Sequence, residues 1–358
     1  MLEHAVRGRG RTGPVCVEVV YPSERDVALW QRRHAAGEVP NRWPYGLDRM
    51  GGPGVDLGYR NVAAAGRART ALQRGAGLVG LRVPRPRGGA RRIGLAWDEN
   101  AAQRMVAQGR YGRMHAGAIW VSDALREGRR DAVTRARLRA LRSTDGVWCL
   151  SRAQLEPLRE QLGTGGPPVS FVRFGVDPDF YRYRDHPGRP VVVSVGGDRD
   201  RDAATLFAAL AEVVRARPDA EVVVQTTSAL RPPPGVRTER YLTHLQLRDL
   251  YARASVVAIA TRPNLHVSGM TVSLEAMATG RPVVITGSPG MEDYVTDGEN
   301  GFVVPTGSAA ALAERVVHLL AEPDTAREVG RRGRAAVEAG MTSGHLAQQL
   351  LLLVGAAA

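Results

Sequence analysis

A stretch near residue 270 combines the residue types that hold a negatively charged ligand. Ser268, Gly269, Met270 and Thr271 lead into residues 272–279, whose Leu, Ala, Met and Glu residues favour a helix. Free backbone N–H groups at a helix N-terminus and the positive end of the helix dipole both stabilise an anion. The stretch predicts an anion-binding turn, and an ordinary helix–strand connection is the alternative.

Glycines and arginines follow an earlier apolar segment. Residues 191–195 read VVVSV and predict a buried strand, after which come Gly196, Gly197, Arg199 and Arg201. Two glycines allow the backbone to approach a ligand closely, and two arginines would neutralise a diphosphate. The alternative is a surface turn whose alternating Asp and Arg side chains neutralise one another. The spacing matches neither the dinucleotide fingerprint nor the P-loop.

Two further polar residues belong to the same predicted pocket. Glu275 lies four residues after Thr271, so it falls one helical turn inside the helix and can face the same side. A carboxylate there could accept hydrogen bonds from the two hydroxyls of a ribose, and an exposed helix charge is the alternative. Thr226 ends another apolar segment, at 220–226.

Candidate catalytic carboxylates follow strands predicted in the first half of the chain. Asp98 and Glu99 come directly after the apolar run 93–97. A carboxylate at that position could orient a hydroxyl for reaction. Asp123 follows the run 118–121 and is the competing candidate, although it could equally cap a helix.

Two aromatic residues lie in the long segment after the first predicted strand. Trp43 and Tyr45, in residues 41–50, could stack on a bound acceptor or simply pack the loop down.

The charge of the chain is unevenly distributed. Residues 1–182 hold 31 Arg against 17 Asp and Glu, whereas residues 183–358 hold 18 Arg against 19 acids. The absence of lysine reflects a GC-rich genome, but the asymmetry between halves indicates an anionic partner for the first half. A membrane surface or a phosphorylated acceptor is expected, and a merely basic solvated surface is the alternative. Nucleic acid is not favoured, because aromatic and basic residues do not interleave.

Composition excludes several classes of protein. The longest apolar runs fall short of a membrane span, and residues 1–13 lack the apolar core of a signal peptide, so they are expected to be a disordered leader of a cytoplasmic protein. Cys16 and Cys149 lie in apolar runs and are expected to be free thiols. The eight histidines are scattered, none at ligand spacing from a cysteine, so no metal site is predicted.

Alternating strands and helices must position these residues. Their lengths predict an α/β protein with two Rossmann-like doubly wound domains facing a cleft, at 1–182 and 183–340, and a C-terminal helix at 341–358 that packs back on the first domain. Residues 177–190 are polar and proline-bounded and are interpreted as the hinge. Strands are predicted at 15–20, 55–58, 93–97, 118–121, 146–150, 169–172, 191–195, 220–226, 256–260, 283–285 and 301–304.

The segment SLEAMATGRPVVITGSPGMEDYVTDGENGFVVPTG resembles the donor-binding region of the retaining GT-B glycosyltransferases of family 4, also described as glycosyl transferases group 1. The resemblance covers about residues 168–340. It implies that Glu275 holds the ribose of a nucleoside diphosphate sugar and that Arg199 and Arg201 hold its phosphates. Asp293 falls near the family's acidic residue after a glycine turn.

The chain departs from the family pattern where the transferred sugar is held. Val267 replaces the first glutamate of the family's pair, with His266 and Ser268 beside it, and Asp123 falls near the place of a first-domain histidine. The resemblance implies a glycosyltransferase that uses UDP or GDP sugars, retains configuration and needs neither metal nor cofactor. The alternatives are a sugar-nucleotide epimerase of the same fold and a non-catalytic anion-binding protein.

Overall fold

The computed structural model describes residues 13–63 and 92–356, which form two parallel six-stranded sheets with helices packed against them. This arrangement confirms the predicted α/β class with two Rossmann-like domains. Of the leader predicted at residues 1–13, all but Gly13 lies outside the described residues.

The N-terminal sheet has the strand order β2-β1-β3-β4-β5-β6. Its inner strands carry nearly continuous apolar runs, because helices cover both faces of such a sheet. Cys16 and Cys149 lie in β1 and β5 as free thiols. The strands are β1 (Val15–Pro22), β2 (Val55–Val62), β3 (Arg92–Ala96), β4 (Arg113–Gly117), β5 (Gly146–Cys149) and β6 (Val169–Phe171).

Side-chain caps define several helices of the N-terminal domain. Asp98 and Asp131 accept hydrogen bonds from backbone N–H groups at the starts of α2 and α4. The strand predicted at 118–121 is wrong, since β4 ends at Gly117 and Val121 begins a helix. The helices are α1 (Val27–Ala35), α2 (Glu99–Gln108), α3 (Val121–Arg126), α4 (Ala132–Arg142) and α5 (Leu155–Leu162), with a 3₁₀ segment at Pro44–Met50.

The C-terminal sheet has the order β12-β11-β10-β7-β8-β9. Its edge strand β9 was not predicted, because only Val236 of its four residues is buried. The strands are β7 (Val191–Val195), β8 (Glu221–Gln225), β9 (Val236–Glu239), β10 (Val256–Ile259), β11 (Val283–Thr286) and β12 (Phe302–Val304). The helices are α6 (Ala203–Ala216), α7 (His244–Arg253), α8 (Met270–Ala278), α9 (Ala309–Ala321) and α10 (Pro323–Gly340).

The last helix, α11 (Ser343–Leu353), returns to the N-terminal domain. It packs on the Pro44–Met50 segment, and the guanidinium of Arg113 donates to the carbonyl of Val354 (2.7 Å). Before α11, the two passages of the chain between the domains touch. The N–H of Val176 donates to Met341 O (3.0 Å), and a Cβ built on Gly175 would lie 2.1 Å from Thr342 O.

The expected basic surface of the first half can be located only in part, and the expectation about membrane-spanning segments can be checked on the described helices. Ten of the 31 arginines of residues 1–182 lie in residues 1–12 and 64–91, outside the described residues. Most of the excess of arginines over acidic residues in this half therefore lies in segments that the structure does not describe. Within the described ranges, no helix has the length and apolar character needed to cross a bilayer.

Candidate active site at the domain cleft

Two loops meet at the point where the strand order of the C-terminal sheet reverses. β8 lies on one side of β7 and β10 on the other, and in doubly wound sheets ligands bind in the crevice that such a reversal creates. The loops at 196–202 and 260–269 follow these strands. They are joined by backbone hydrogen bonds from Asp202 N to Ala260 O (3.0 Å) and from Arg262 N to Asp200 O (2.8 Å).

Arg201 points into this crevice. Its Nε donates to Asp198 Oδ2 at 2.8 Å, and its side chain is 13% exposed. Its Nη1 is buried and has no hydrogen-bond partner among the described residues. A Cβ on Gly196 would lie 2.3 Å from Arg201 Nε, so this glycine is needed for the arginine to pack there. Gly197 instead lies against Thr227, whose Cγ2 would be 2.8 Å from an added Cβ.

The N-terminus of α8 faces the same guanidinium. Gly269 is the N-cap, with φ at 94°, and among the described residues no side chain caps the helix. A Cβ on Gly269 would lie 3.3 Å from Arg201 Nη1. Met270 is buried and Thr271 is exposed at the first turn. An uncapped helix N-terminus beside a guanidinium with a free N–H can hold an anion.

Aspartates in the first loop pair with its arginines. Arg199 Nε lies 3.0 Å from Asp200 Oδ2, and Asp198 accepts from Arg201 and from Ser268 Oγ (2.9 Å). Burial raises the pKa of Asp198, but the Arg201 charge and these hydrogen bonds outweigh it and hold that pKa below its usual value. The charge pairing expected of a surface turn is therefore present. Among the described residues, however, Arg201 Nη1 has no partner, so it can donate to a ligand.

The other aspartate of the cleft joins the two domains. Asp123, from α3, accepts from Leu265 N (2.7 Å) and lies 2.6 Å from His266 Nδ1. Both side chains are buried, at 1% and 5% exposed. Burial raises the pKa of Asp123, but the hydrogen bond to His266 and the one from Leu265 N lower it by more. The pKa of Asp123 is therefore below its usual value. Asp123 is not the cap of α3, which begins after Trp120 without a side-chain cap.

Glu275 is buried in α8 between two tyrosines. The hydroxyls of Tyr181 and Tyr251 donate to its two carboxylate oxygens at 2.9 and 3.0 Å. Burial raises the pKa of Glu275 to about 7 despite these bonds. Glu275 is thus no exposed helix charge, and each oxygen keeps a lone pair for a further donor. Thr226 lines the small crevice formed by Gly196 and Arg201.

The structure gives Asp98 and Glu99 local partners. Asp98 accepts from the N–H groups of Asn100 and Ala101 (2.9 and 2.8 Å). Glu99 is fully buried and accepts from the N–H groups of Ile119 and Trp120 (3.0 and 2.9 Å). Burial and the neighbouring Asp98 raise the pKa of Glu99. These contacts explain both carboxylates without a substrate, so their catalytic role stays a prediction.

The aromatic residues predicted to meet an acceptor pack within the N-terminal domain. Trp43 is 7% exposed and makes an edge-on contact with Tyr59, with ring centroids 5.1 Å apart. Tyr45 stacks on Trp97 at 3.7 Å, and the Arg25 guanidinium lies over the Tyr45 ring. Both side chains therefore hold the loop down in this structure.

Sequence reasoning considered the Asp–Arg pairing in the run DRDRD at 198–202, but it did not anticipate that Asp198 also accepts a hydrogen bond from Ser268 of the other loop. The sequence marked Val267 only because this residue replaces a glutamate of the family pattern. Val267 has φ at 58°, which is unusual for a β-branched residue, and it is buried. Strain of this kind concentrates at functional sites.

Comparison with known proteins finds a family match within the C-terminal domain. Residues 189–322 match the family model described as glycosyl transferases group 1. The chain is 29% identical over 252 residues to the alpha-maltose-1-phosphate synthase of Mycolicibacterium smegmatis (59% of this chain, 63% of that protein). It is 34% identical over 188 residues to the GDP-mannose-dependent alpha-(1-6)-phosphatidylinositol monomannoside mannosyltransferase of the same organism (47% of this chain, 49% of that protein).

Structural similarity extends over nearly the whole chain. The structure of Anabaena Alr3699/HepE in complex with UDP and glucose superposes with a TM-score of 0.67, covering 96% of this chain and 100% of that chain. The sequence identity is 13%, so the likeness shows a shared fold. The chain spans less than two thirds of the length of the two Mycolicibacterium relatives.

Proposed function

We propose that this protein transfers a sugar from a nucleoside diphosphate sugar to an acceptor. The chain has the GT-B fold, and its residues 189–322 match the family model of the glycosyl transferases group 1. The two Mycolicibacterium relatives carry the names of a synthase and a mannosyltransferase, which supports sugar transfer. The observation that carries the proposal is Arg201, whose buried Nη1 faces the uncapped N-terminus of α8 without a partner among the described residues.

The diphosphate of the donor is proposed to bind between Arg201 and α8. As the bond to the sugar breaks, negative charge grows on the leaving phosphate, and a fixed guanidinium and helix N-terminus would stabilise that charge. UDP and GDP are the proposed nucleotides. UDP is in the Anabaena complex, and the mannosyltransferase is named as GDP-mannose-dependent. Glu275 is proposed to accept hydrogen bonds from the ribose through its free lone pairs.

Retention of configuration is proposed from the family resemblance. A retaining transfer needs the acceptor hydroxyl held toward the anomeric carbon, with its proton passing to the leaving phosphate or a nearby base. Asp123 and His266 come from opposite domains and meet beside Ser268, so they are better placed at the donor pocket than Asp98 and Glu99. We propose that this pair binds the transferred sugar, the task that the family gives to a glutamate at the position of Val267.

The acceptor is proposed to be anionic, either a phosphorylated molecule or a lipid-linked one at a membrane surface. The basic excess of residues 1–182 supports this. Full-length protein should bind vesicles containing anionic lipid at low salt and leave them at high salt, because screening weakens such contacts. Co-sedimentation with the vesicles at two salt concentrations measures the bound fraction of the protein. A bound fraction that does not change with salt would contradict the proposal.

Nucleotide binding tests the donor site. Arg201→Gln should weaken UDP or GDP binding by about tenfold or more, because a neutral amide cannot make the charge-assisted hydrogen bond to phosphate. Arg217→Gln is the matched control, since Arg217 also pairs with an aspartate, Asp219, but lies at the far end of α6. Titration calorimetry measures both. Equal affinity of Arg201→Gln and wild type would overturn the assignment.

Turnover separates transfer from the alternatives. A screen of UDP and GDP sugars for release of nucleoside diphosphate should show activity with at least one donor. Interconversion of a sugar nucleotide without release would favour an epimerase. Nucleotide binding with neither reaction would favour a non-catalytic protein.

A further inference from the structure

We propose that α4 and the turn before it dock on the surface of an anionic lipid bilayer. Residues 126–142 hold seven arginines against two acidic residues, and all of them are described by the structure. Five exposed arginines of this segment form the α4 patch: Arg126, Arg130, Arg135, Arg139 and Arg142. The docking surface rests on the proposed function, because it is the place where that function would meet a membrane-held acceptor.

The arginines of the α4 patch lack acidic partners. Arg135, Arg139 and Arg142 have the spacing i, i+4, i+7, so they share one face of the helix. Among the described residues, no carboxylate lies within ion-pairing distance of the patch, and four of its arginines donate instead to backbone carbonyl oxygens. Like charges at these spacings destabilise a helix. The charge of this face is therefore not balanced within the described part of the chain.

A second arginine-rich helix of the same chain is balanced. α10 has four arginines, and each pairs with an acidic residue three or four positions away along the helix. α4 also has four arginines but contains no acidic residue. The bias that replaces lysine by arginine applies to both helices, so it does not explain the difference. The unpaired charge of α4 indicates an anionic partner rather than a merely basic solvated surface.

The extent of the α4 patch fits a surface better than a single small anion. A helix rises about 1.5 Å per residue, so Arg135 and Arg142 are about 10 Å apart along the axis. One phosphate binds one or two guanidiniums, and a row of this length needs several anions side by side, as the head groups of a bilayer provide.

The other side chains of this segment favour lipid over nucleic acid. Val133, in the first turn of α4, is 57% exposed, and an apolar side chain among arginines would enter the head-group layer. Residues 126–142 contain no aromatic side chain, so they offer no platform on which bases could stack.

The α4 patch adjoins the candidate active site. Arg126 lies at the end of α3, the helix that carries Asp123. Its guanidinium donates to the carbonyl oxygen of Pro263, in the loop that leads to His266. From this contact the patch continues through Arg130 and along α4. A bilayer on this face would therefore lie beside the cleft, and an acceptor held in it would enter the cleft from that edge.

Vesicle binding by two matched variants tests the docking surface. The α4 variant combines Arg135→Gln, Arg139→Gln and Arg142→Gln. The α10 variant removes the same charge from exposed positions by combining Arg327→Gln, Arg331→Gln and Arg332→Gln.

Full-length protein is co-sedimented at low salt with vesicles of phosphatidylcholine, with and without phosphatidylglycerol. Wild type and the α10 variant should bind the vesicles that contain phosphatidylglycerol, and the α4 variant should bind them about tenfold or more weakly, because each arginine near an anionic surface contributes to the attraction. The melting temperature of each variant reports its folding.

Several outcomes would overturn the docking surface. These are unchanged binding by the folded α4 variant, an equal loss in the α10 variant, and equal binding of wild type to vesicles without phosphatidylglycerol. Binding of a DNA duplex that the α4 variant loses, without binding to anionic vesicles, would assign the patch to nucleic acid and overturn it as well.

Release of nucleoside diphosphate without vesicles separates the docking surface from the proposed function. The α4 variant should release nucleoside diphosphate from the donor like wild type. Activity in a protein that ignores anionic vesicles would leave the proposed function standing. Vesicle binding through the α4 patch without activity toward any donor would remove the proposed function alone.

Discussion

Replacing Glu275 by Gln should make the protein more stable at alkaline pH while weakening donor binding. The carboxylate is buried between Tyr181 and Tyr251, and burial raises its pKa from 4.5 to about 7. In the unfolded chain the group ionises at its ordinary pKa. The native state must therefore hold a buried charge above about pH 7 that it does not hold in acid.

The sign and size follow from this difference in pKa. Because the folded pKa is raised, the stabilisation is fully present below pH 4.5 and is lost as the pH rises through 7. Each pKa unit corresponds to about 1.4 kcal/mol, so the ionised Glu275 costs about 3 kcal/mol of unfolding free energy at about pH 8. At about pH 5 most of that cost is absent. A glutamine keeps the volume and carries no charge at either pH.

The observable is the gap in unfolding free energy between Glu275→Gln and wild type. It should shift in favour of the variant by about 2 kcal/mol from about pH 5 to about pH 8, as followed by tryptophan fluorescence in urea. The pH dependence of the gap is independent of any packing cost of the substitution. Glu314→Gln, at an exposed position on α9, should follow wild type at every pH. A gap that stays constant, or moves the other way, would refute the reasoning.

The remaining predictions concern three other residues. Glu99→Gln should lower the unfolding free energy by about 1–3 kcal/mol in urea, because one N–H loses a charged acceptor; unchanged stability would contradict this. Gly175→Ala should lower the melting temperature, since its Cβ would meet Thr342 O, whereas Gly188→Ala has open space and should not. Asp123→Asn should reduce turnover about tenfold or more at nearly unchanged UDP or GDP affinity, and full activity would remove it from the site.

The alternation of strands and helices could be predicted from the sequence because it depends on local apolar patterns. The strand expected at 118–121 was wrong because Ile119 and Trp120 are apolar but lie in a turn whose amides Glu99 holds. That interaction spans about twenty residues and leaves no local pattern. Strand β9 was missed because an edge strand needs few buried side chains.

The positions of the loops at the candidate site could be predicted from the sequence, whereas the side-chain contacts made there could not. Polar residues after apolar strands marked 196–202 and 268–271, since ligands bind at that edge of a parallel sheet. His266 and Asp123 are 143 residues apart and come from different domains, so no spacing could connect them. The pairing of Glu275 with Tyr181 and Tyr251 likewise depends on tertiary packing.

The contact between the two chain passages limits how the cleft can move. Val176 N donates to Met341 O, and Ser343 N donates to Val176 O at 2.8 Å, so both connections between the domains are bonded at one place. Sliding or separating the domains would break these bonds, but rotation about that place would not. Other bonds join the domains away from that place, among them the bond from Arg152 N to Asp293 Oδ2 (2.8 Å) and the bond from the Tyr294 hydroxyl to Leu150 O (2.6 Å). A rotation that opens the cleft would therefore have to break these bonds together with the one between Asp123 and His266.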